Sequence, residues 1–261
     1  MNENVSIGLR DRLESEAAKR NDPAELIGGA ADPLQVACGL EDARAILLCA
    51  LFGYGNAQNI VKFLRSLDFS LLDSDEATIR KQLSNRYYRF QSTEDVIQVF
   101  LMLSRLGQGE MKETFLKGYE KERKVLDGIF SLIERFGMLN RYESRGYRFL
   151  VGSIPKNGKP TSPYKRWMMF LRWLVRKDTL DLGLWTEVSK ADLVIPLDTH
   201  TFQVGRSLGL LKRKTYDWKA AVELTQALKR FCPEDPVKYD FALYRLGQEK
   251  NRVIRGVLKP D

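Results

Sequence analysis

Apolar side chains recur at three- and four-residue spacing along most of the chain, the period of a helix with one buried face. Residues 41–51 and 57–67 show it first, joined by the tight connection Phe52-Gly53-Tyr54-Gly55-Asn56. Asp73-Ser74-Asp75 predicts the capped start of a short helix ending at Leu83. Ser92-Thr93-Glu94-Asp95 opens another, with Val96, Ile97, Phe100 and Leu103 facing a core and an end near Gly107. Residues 119–136 read as one long amphipathic helix, and residues 164–176, 199–208, 218–231 and 236–246 as four more. Between Arg141 and Pro163 the rhythm breaks at Gly146, Gly152, Pro155, Gly158, Pro160 and Pro163, leaving either a hairpin or an extended loop. Few runs alternate as a strand would, and no internal repeat is visible. The expected fold class is all-α.

Composition narrows this picture. With 261 residues, 44% of them apolar and 10% aromatic, the chain is long enough for one large domain or for two lobes sharing a core. No stretch approaches the roughly 20 apolar residues of a membrane span, and no basic-then-apolar leader opens the chain. The expectation is therefore a cytoplasmic protein without a membrane partner. Cys38, Cys49 and Cys232 are few, odd in number and scattered, which suits a reducing compartment and builds neither a disulfide framework nor a zinc site.

Charge becomes informative once it is located. The segment Arg141–Lys177 holds ten basic residues (Arg141, Arg145, Arg148, Lys156, Lys159, Lys165, Arg166, Arg172, Arg176 and Lys177) and one acid, Glu143. That surplus of nine, set against +8 for the whole chain, leaves the remainder at about −1. One concentrated basic segment on a neutral body is the footprint of a nucleic-acid binder, although a solvated basic face has the same composition.

Two positions inside and after that segment carry candidate chemistry. Pro163 suits the first turn of a helix and Ser162 its cap, which places Lys165 at the helix start. Lys165, Met169, Arg172 and Arg176 then share one side, and Trp167, Phe170, Leu171 and Leu174 supply the core side. A helix start, surrounding cations and partial burial all favour the neutral amine that a Schiff-base lysine needs. A phosphate-contacting or merely solvated lysine fits the same position. Pro196 forces extended backbone on Ile195, so Asp198 becomes the N-cap of the next helix. Capping is a structural role, and a chemical one is added only if the second carboxylate oxygen faces a cleft. His200, the chain's single histidine, has no partner for a metal site and reads as a packed or hydrogen-bonded residue.

The run Leu197-Asp198-Thr199-His200-Thr201-Phe202-Gln203-Val204, with Arg206 two places on, resembles the aspartate motif of the helix-hairpin-helix DNA glycosylase superfamily. Bifunctional members carry a lysine at the start of the helix after the hairpin, which matches Lys165. Residues 241–248, Phe-Ala-Leu-Tyr-Arg-Leu-Gly-Gln, resemble the family's downstream helix. The similarity is clearest from Ser153 to Gly247. Upstream it is weaker, with residues 45–56 similar to the early helix and the turn that wedges into DNA. Two departures stand out: the Leu-Pro-Gly-Val-Gly hairpin is replaced by Pro155-Lys156-Asn157-Gly158-Lys159-Pro160-Thr161-Ser162-Pro163, and the lysine-to-aspartate interval is long. Both are similar to the archaeal 8-oxoguanine branch and its uncharacterised bacterial relatives.

The resemblance implies a single helical unit over residues 1–261, with lobes at 40–175 and at 1–39 plus 176–261. It also implies a helix-hairpin-helix-like element and an active-site cleft between the lobes. Lys165 and Asp198 would be catalytic, the lysine attacking C1′ of a flipped nucleotide and the carboxylate stabilising the developing cation. Asp240 and Tyr244, one helical turn apart, would contact the extruded base, with tyrosine standing where the oxoguanine branch has tryptophan. Tyr54, Asn56, Lys156, Lys159, Arg166 and Arg172 would contact DNA. No iron–sulfur cluster or other cofactor is expected, since three scattered cysteines cannot build a four-cysteine site. The expected partner is damaged double-stranded DNA and the expected state a nucleoid-associated monomer. The expected activity is glycosylase with lyase, removing 8-oxoguanine. A monofunctional glycosylase for alkylated bases and a non-catalytic nucleic-acid-binding relative are the alternatives.

Overall fold

The computed structural model describes residues 3–249, except 28–30 and 108. In chain order its helices are α1 (Glu3–Arg20), α2 (Pro23–Ile27), α3 (Leu34–Ala37), α4 (Ala43–Leu51), α5 (Ala57–Arg65), α6 (Glu76–Leu83) and α7 (Thr93–Ser104). They continue as α8 (Glu110–Glu122), α9 (Val125–Leu139), α10 (Arg145–Val151), α11 (Lys165–Val175), α12 (Thr199–Ser207), α13 (Trp218–Lys229) and α14 (Asp240–Gln248). Short 3-10 turns occur at Phe69–Asp73, Lys190–Asp192 and Pro236–Tyr239. Pairing of β type among the described residues is limited to two isolated bridges, Tyr88–Gln91 and Lys177–Leu182. The fold is all-α. No described helix is long and apolar enough to cross a membrane.

The chain divides into two compact units: residues 31–158, and residues 1–30 with 159–261. The division falls at Gly158, so α11 belongs with α12–α14, whereas the lobes expected from the sequence put residues up to 175 with the preceding helices.

The unit of residues 31–158 is organised by capped helix starts and two fully buried helices. Asp42, Asn56, Asp75 and Ser92 each accept a backbone N–H in the first turn of α4, α5, α6 and α7. Ser92 and Asp95 form a reciprocal capping box. Residues 45–51 of α4 and 95–103 of α7 are buried on every side, as helices at the centre of a core must be. The long helix expected over 119–136 is in fact a hairpin, α8 and α9, broken at Arg123 in the left-handed region (φ 53°). No glycine or proline marks the break. Close packing enforces it: a Cβ at Gly118 would collide with Asp127 and Ser131, and one at Gly128 with the Phe115 ring. A further helix, α10, occupies part of the segment expected to be loop or hairpin. Ser144 caps it, and Asp95 accepts hydrogen bonds from Tyr142 (3.2 Å) and Ser144.

In the other unit, α11 is buried from Trp167 to Val175. The chain beyond it folds back over the helix end, with Leu182 donating to the Trp173 carbonyl and Trp185 to that of Leu174, both at 2.8 Å. α12 packs along α14, which also packs on α1. At the crossing a Cβ on Gly247 would meet the Cβ and backbone of His200, so the glycine in the Phe241–Gln248 run permits close approach of α12 and α14.

Candidate active site

The first turn of α11 forms differently from the cap expected. Tyr164, not Ser162, is the N-cap, and it sits in the left-handed region at φ 49° without a side-chain cap bond. An aromatic residue rarely adopts that conformation. Here burial holds it, with the Tyr164 ring edge-on to Trp218 at 6.3 Å and Ser162 Oγ accepting the Tyr164 N–H at 3.3 Å. Lys165 is consequently the first helical residue, its side chain 28% exposed.

The aspartate arrives on an extended segment pinned from two sides. Ile195 N–H donates to Thr225 Oγ1 at 3.0 Å, and the Tyr216 hydroxyl donates to the Leu197 carbonyl at 2.7 Å. Asp198 then caps α12, Oδ1 accepting the Thr201 N–H at 2.7 Å. Its other oxygen, Oδ2, lies 4.0 Å from Lys165 Nζ. The carboxylate is thus divided between a structural oxygen and one that faces the amine. Burial, with the Asp198 charge adding to it, pushes the Tyr216 hydroxyl up to about 12, so it remains a hydrogen-bond donor. Tyr216 and Thr225 carry no sequence signal, since a tyrosine and a threonine beyond the motif look like any other helix or loop residue.

Arg172 does not occupy the exposed role expected of it, and Asp240 is paired with it. Arg172 is buried and donates to Asp240 Oδ2 at 2.6 Å and to Asp181 Oδ1 at 3.0 and 3.2 Å. One turn on, Arg176 is buried against Asp235 at 2.9 Å, Asp178 at 2.9 Å and Asp181. Burial opposes the charged form of Arg172, but Asp181 and Asp240 outweigh it and raise its pKa further. Arg172 is therefore an internal counter-ion and not a phosphate contact. Burial pushes the Asp240 carboxyl up to about 6 against the pull of Arg172, and the charge of Asp198 adds to the rise while Lys165 opposes it. Asp240 is thus within electrostatic reach of both candidate catalytic groups, but its carboxylate is engaged with Arg172. Tyr244 is half-buried; its hydroxyl accepts from Gln248 at 2.8 Å and its ring meets the exposed His200 edge-on at 6.1 Å. His200 is thus neither buried nor remote from the site.

The other expected contacts differ in exposure and in what they already bind. Lys156 and Lys159 are exposed on the loop between α10 and α11, and Arg166 is half-buried in the first turn of α11. In the unit of residues 31–158, Asn56 is exposed but committed as the α5 cap, accepting the Asn59 N–H at 3.2 Å. Tyr54 is not a loose wedge: its hydroxyl donates to Gln91 and its ring packs among Tyr88, Phe90 and Phe149. That unit also contains a cavity of about 470 Å3 lined by Arg141, Tyr142, Tyr147, Arg148, Val151 and Ile154. No cluster of three or more histidine, cysteine or carboxylate side chains that could hold a metal occurs among the described residues.

Residues 32–249 match the family described as a protein of unknown function (DUF2400), and the chain belongs to that family. No curated protein and no solved structure matches the chain.

Proposed function

We propose that this protein is a DNA base-excision glycosylase with lyase activity, acting through Lys165 and Asp198. The observation that carries the reading is the 4.0 Å approach of Lys165 Nζ to Asp198 Oδ2, with Oδ1 already committed to the helix cap. The resemblance of the Leu197–Arg206 segment to the helix-hairpin-helix glycosylases supports it, and the helix-hairpin-helix-like element would be α10, the loop 152–164 and α11. The two compact units would correspond to the family's two lobes.

In this mechanism the amine attacks C1′ of a flipped nucleotide, a C–N bond forms and the glycosidic bond breaks. The base leaves with the bond electrons and takes up a proton. Asp198 Oδ2 stabilises the cationic character at C1′ and receives a proton from the attacking nitrogen. The sugar ring then opens, the C1′–O4′ bond breaking and O4′ taking up a proton, to give the Schiff base. This acidifies the C2′ hydrogen, and its loss as a proton expels the 3′ phosphate as leaving group. 8-Oxoguanine is the lesion proposed, paired in duplex DNA. Borohydride reduction in the presence of an 8-oxoguanine duplex should trap a covalent protein–DNA complex in the wild type and none in Lys165→Gln. Base release without trapping would replace this reading by a monofunctional glycosylase, with Asp198 activating water. Salt-sensitive DNA binding without turnover of any lesion, unchanged by Asp198→Asn, would mark a non-catalytic binding protein.

A further inference from the structure

We infer that Tyr54, Phe90 and Phe149, together with Arg89 and Arg145, form a platform on which unpaired nucleobases of a nucleic-acid strand stack. All five residues lie in the unit of residues 31–158, so the inference goes beyond the lysine–aspartate chemistry and does not depend on it. Phe90 is 50% exposed and Phe149 40%, an unusual placement for two phenylalanines that touch each other. The three rings form a closed triangle, with centroids 4.8 Å apart for Tyr54–Phe149, 5.0 Å for Phe90–Phe149 and 6.0 Å for Tyr54–Phe90.

The triangle is held rigidly from behind. Tyr54 donates to Gln91, Gln91 donates to the Gly146 carbonyl at 3.4 Å, and Tyr88 donates to the Tyr54 carbonyl at 2.7 Å. A ligand that stacks there orders little new structure, which keeps the entropic penalty of binding low. Two guanidinium groups accompany the rings, Arg89 over Tyr54 at 5.3 Å and Arg145 over Phe90 at 6.0 Å. Arg89 has a left-handed backbone (φ 56°) and crosses Gly55, where any Cβ would collide with its guanidinium. Neither arginine has an ion-pair partner among the described residues, and the carboxylate of Asp95 is engaged by Ser92, Tyr142 and Ser144. Exposed rings flanked by unneutralised arginines match a polyanion that also offers flat π-faces, and a nucleic-acid strand with unpaired bases has both features. An apolar protein partner would leave the two cations without a counter-charge.

The test is fluorescence anisotropy with a labelled oligothymidylate and a blunt duplex of equal length, at low and moderate salt, using the full chain. The wild type should prefer the single strand. Phe90→Leu/Phe149→Leu, which keeps apolar bulk but removes the π-faces, should weaken single-strand binding by roughly tenfold or more with an unchanged circular dichroism spectrum. Arg89→Gln/Arg145→Gln should lower the slope of log affinity against log salt by about one to two. Equal binding of single strand and duplex, or wild-type affinity in the leucine pair, would overturn the inference. So would binding to phosphatidylserine vesicles in place of the oligonucleotide. Covalent trapping through Lys165 is read separately on the same protein, so failure of the one is distinguishable from failure of the other.

Discussion

The start and the end of α11 both carry cations, and the structure puts them in opposite environments. Lys165 stands partly exposed at the helix start, facing a single carboxylate oxygen at 4.0 Å. Arg172 and Arg176 lie buried at the other end, surrounded by Asp178, Asp181, Asp235 and Asp240. The physical difference is desolvation. A guanidinium taken out of water requires paired carboxylates in good geometry, so the inner arginines are structural. An ammonium left partly exposed retains access to solvent. A count of positive charge along the segment treats the two ends alike, and only burial separates a candidate nucleophile from a clamp.

Substitutions at the two ends should therefore fail in different ways. Lys165→Gln is expected to lower base release from a lesion duplex by on the order of 10³-fold or more. Its unfolding free energy in urea should stay within about 0.5 kcal/mol of wild type, as for other partly exposed positions. A large loss of stability in that variant would erase the contrast between the two ends. Arg172→Met should do the reverse, destabilising by about 3–5 kcal/mol because Asp181 and Asp240 lose a buried counter-ion. Adding Asp240→Asn to it should recover part of the loss in the same denaturation experiment, and a strictly additive double variant would refute the pairing.

Asp198 lies between these extremes, because one oxygen caps a helix and the other faces the amine. Asp198→Asn keeps an acceptor for the Thr201 N–H and should hold stability within about 0.5 kcal/mol while losing turnover. Asp198→Ala should lose turnover and about 1 kcal/mol together. Equal stability for the two variants would deny the cap its role. The smallest effect concerns pH. Asp240 binds its proton more tightly folded than unfolded, so its contribution to stability is fully present below the ordinary aspartate value, about 4. That contribution is lost as pH rises through about 6. Wild-type stability should fall relative to Asp240→Asn across that window, and a flat or rising difference would show the carboxyl to be ionised throughout.

Much of this was legible in the chain. Helices α4, α5 and α13 follow from apolar periodicity, and α6, α7 and α12 also from Asp or Ser at their starts, since caps and apolar spacing act over a few residues. The α8–α9 break escaped because it comes from two glycines at a packing contact, a long-range condition with no local breaker. The start of α11 escaped for a similar reason, since the unusual backbone of Tyr164 is held by burial against Trp218.

The sequence by itself determined the helical class, the cap at Asp198 and the presence of a lysine at a helix start, because each depends on residues within a turn or two. Tertiary structure alone decided that Lys165 and Asp198 meet, thirty-three residues apart in the chain, and that Arg172 and Asp240 pair with each other. Which charged side chains remain in water depends on what packs over them, and that is a property of distant segments brought together by folding.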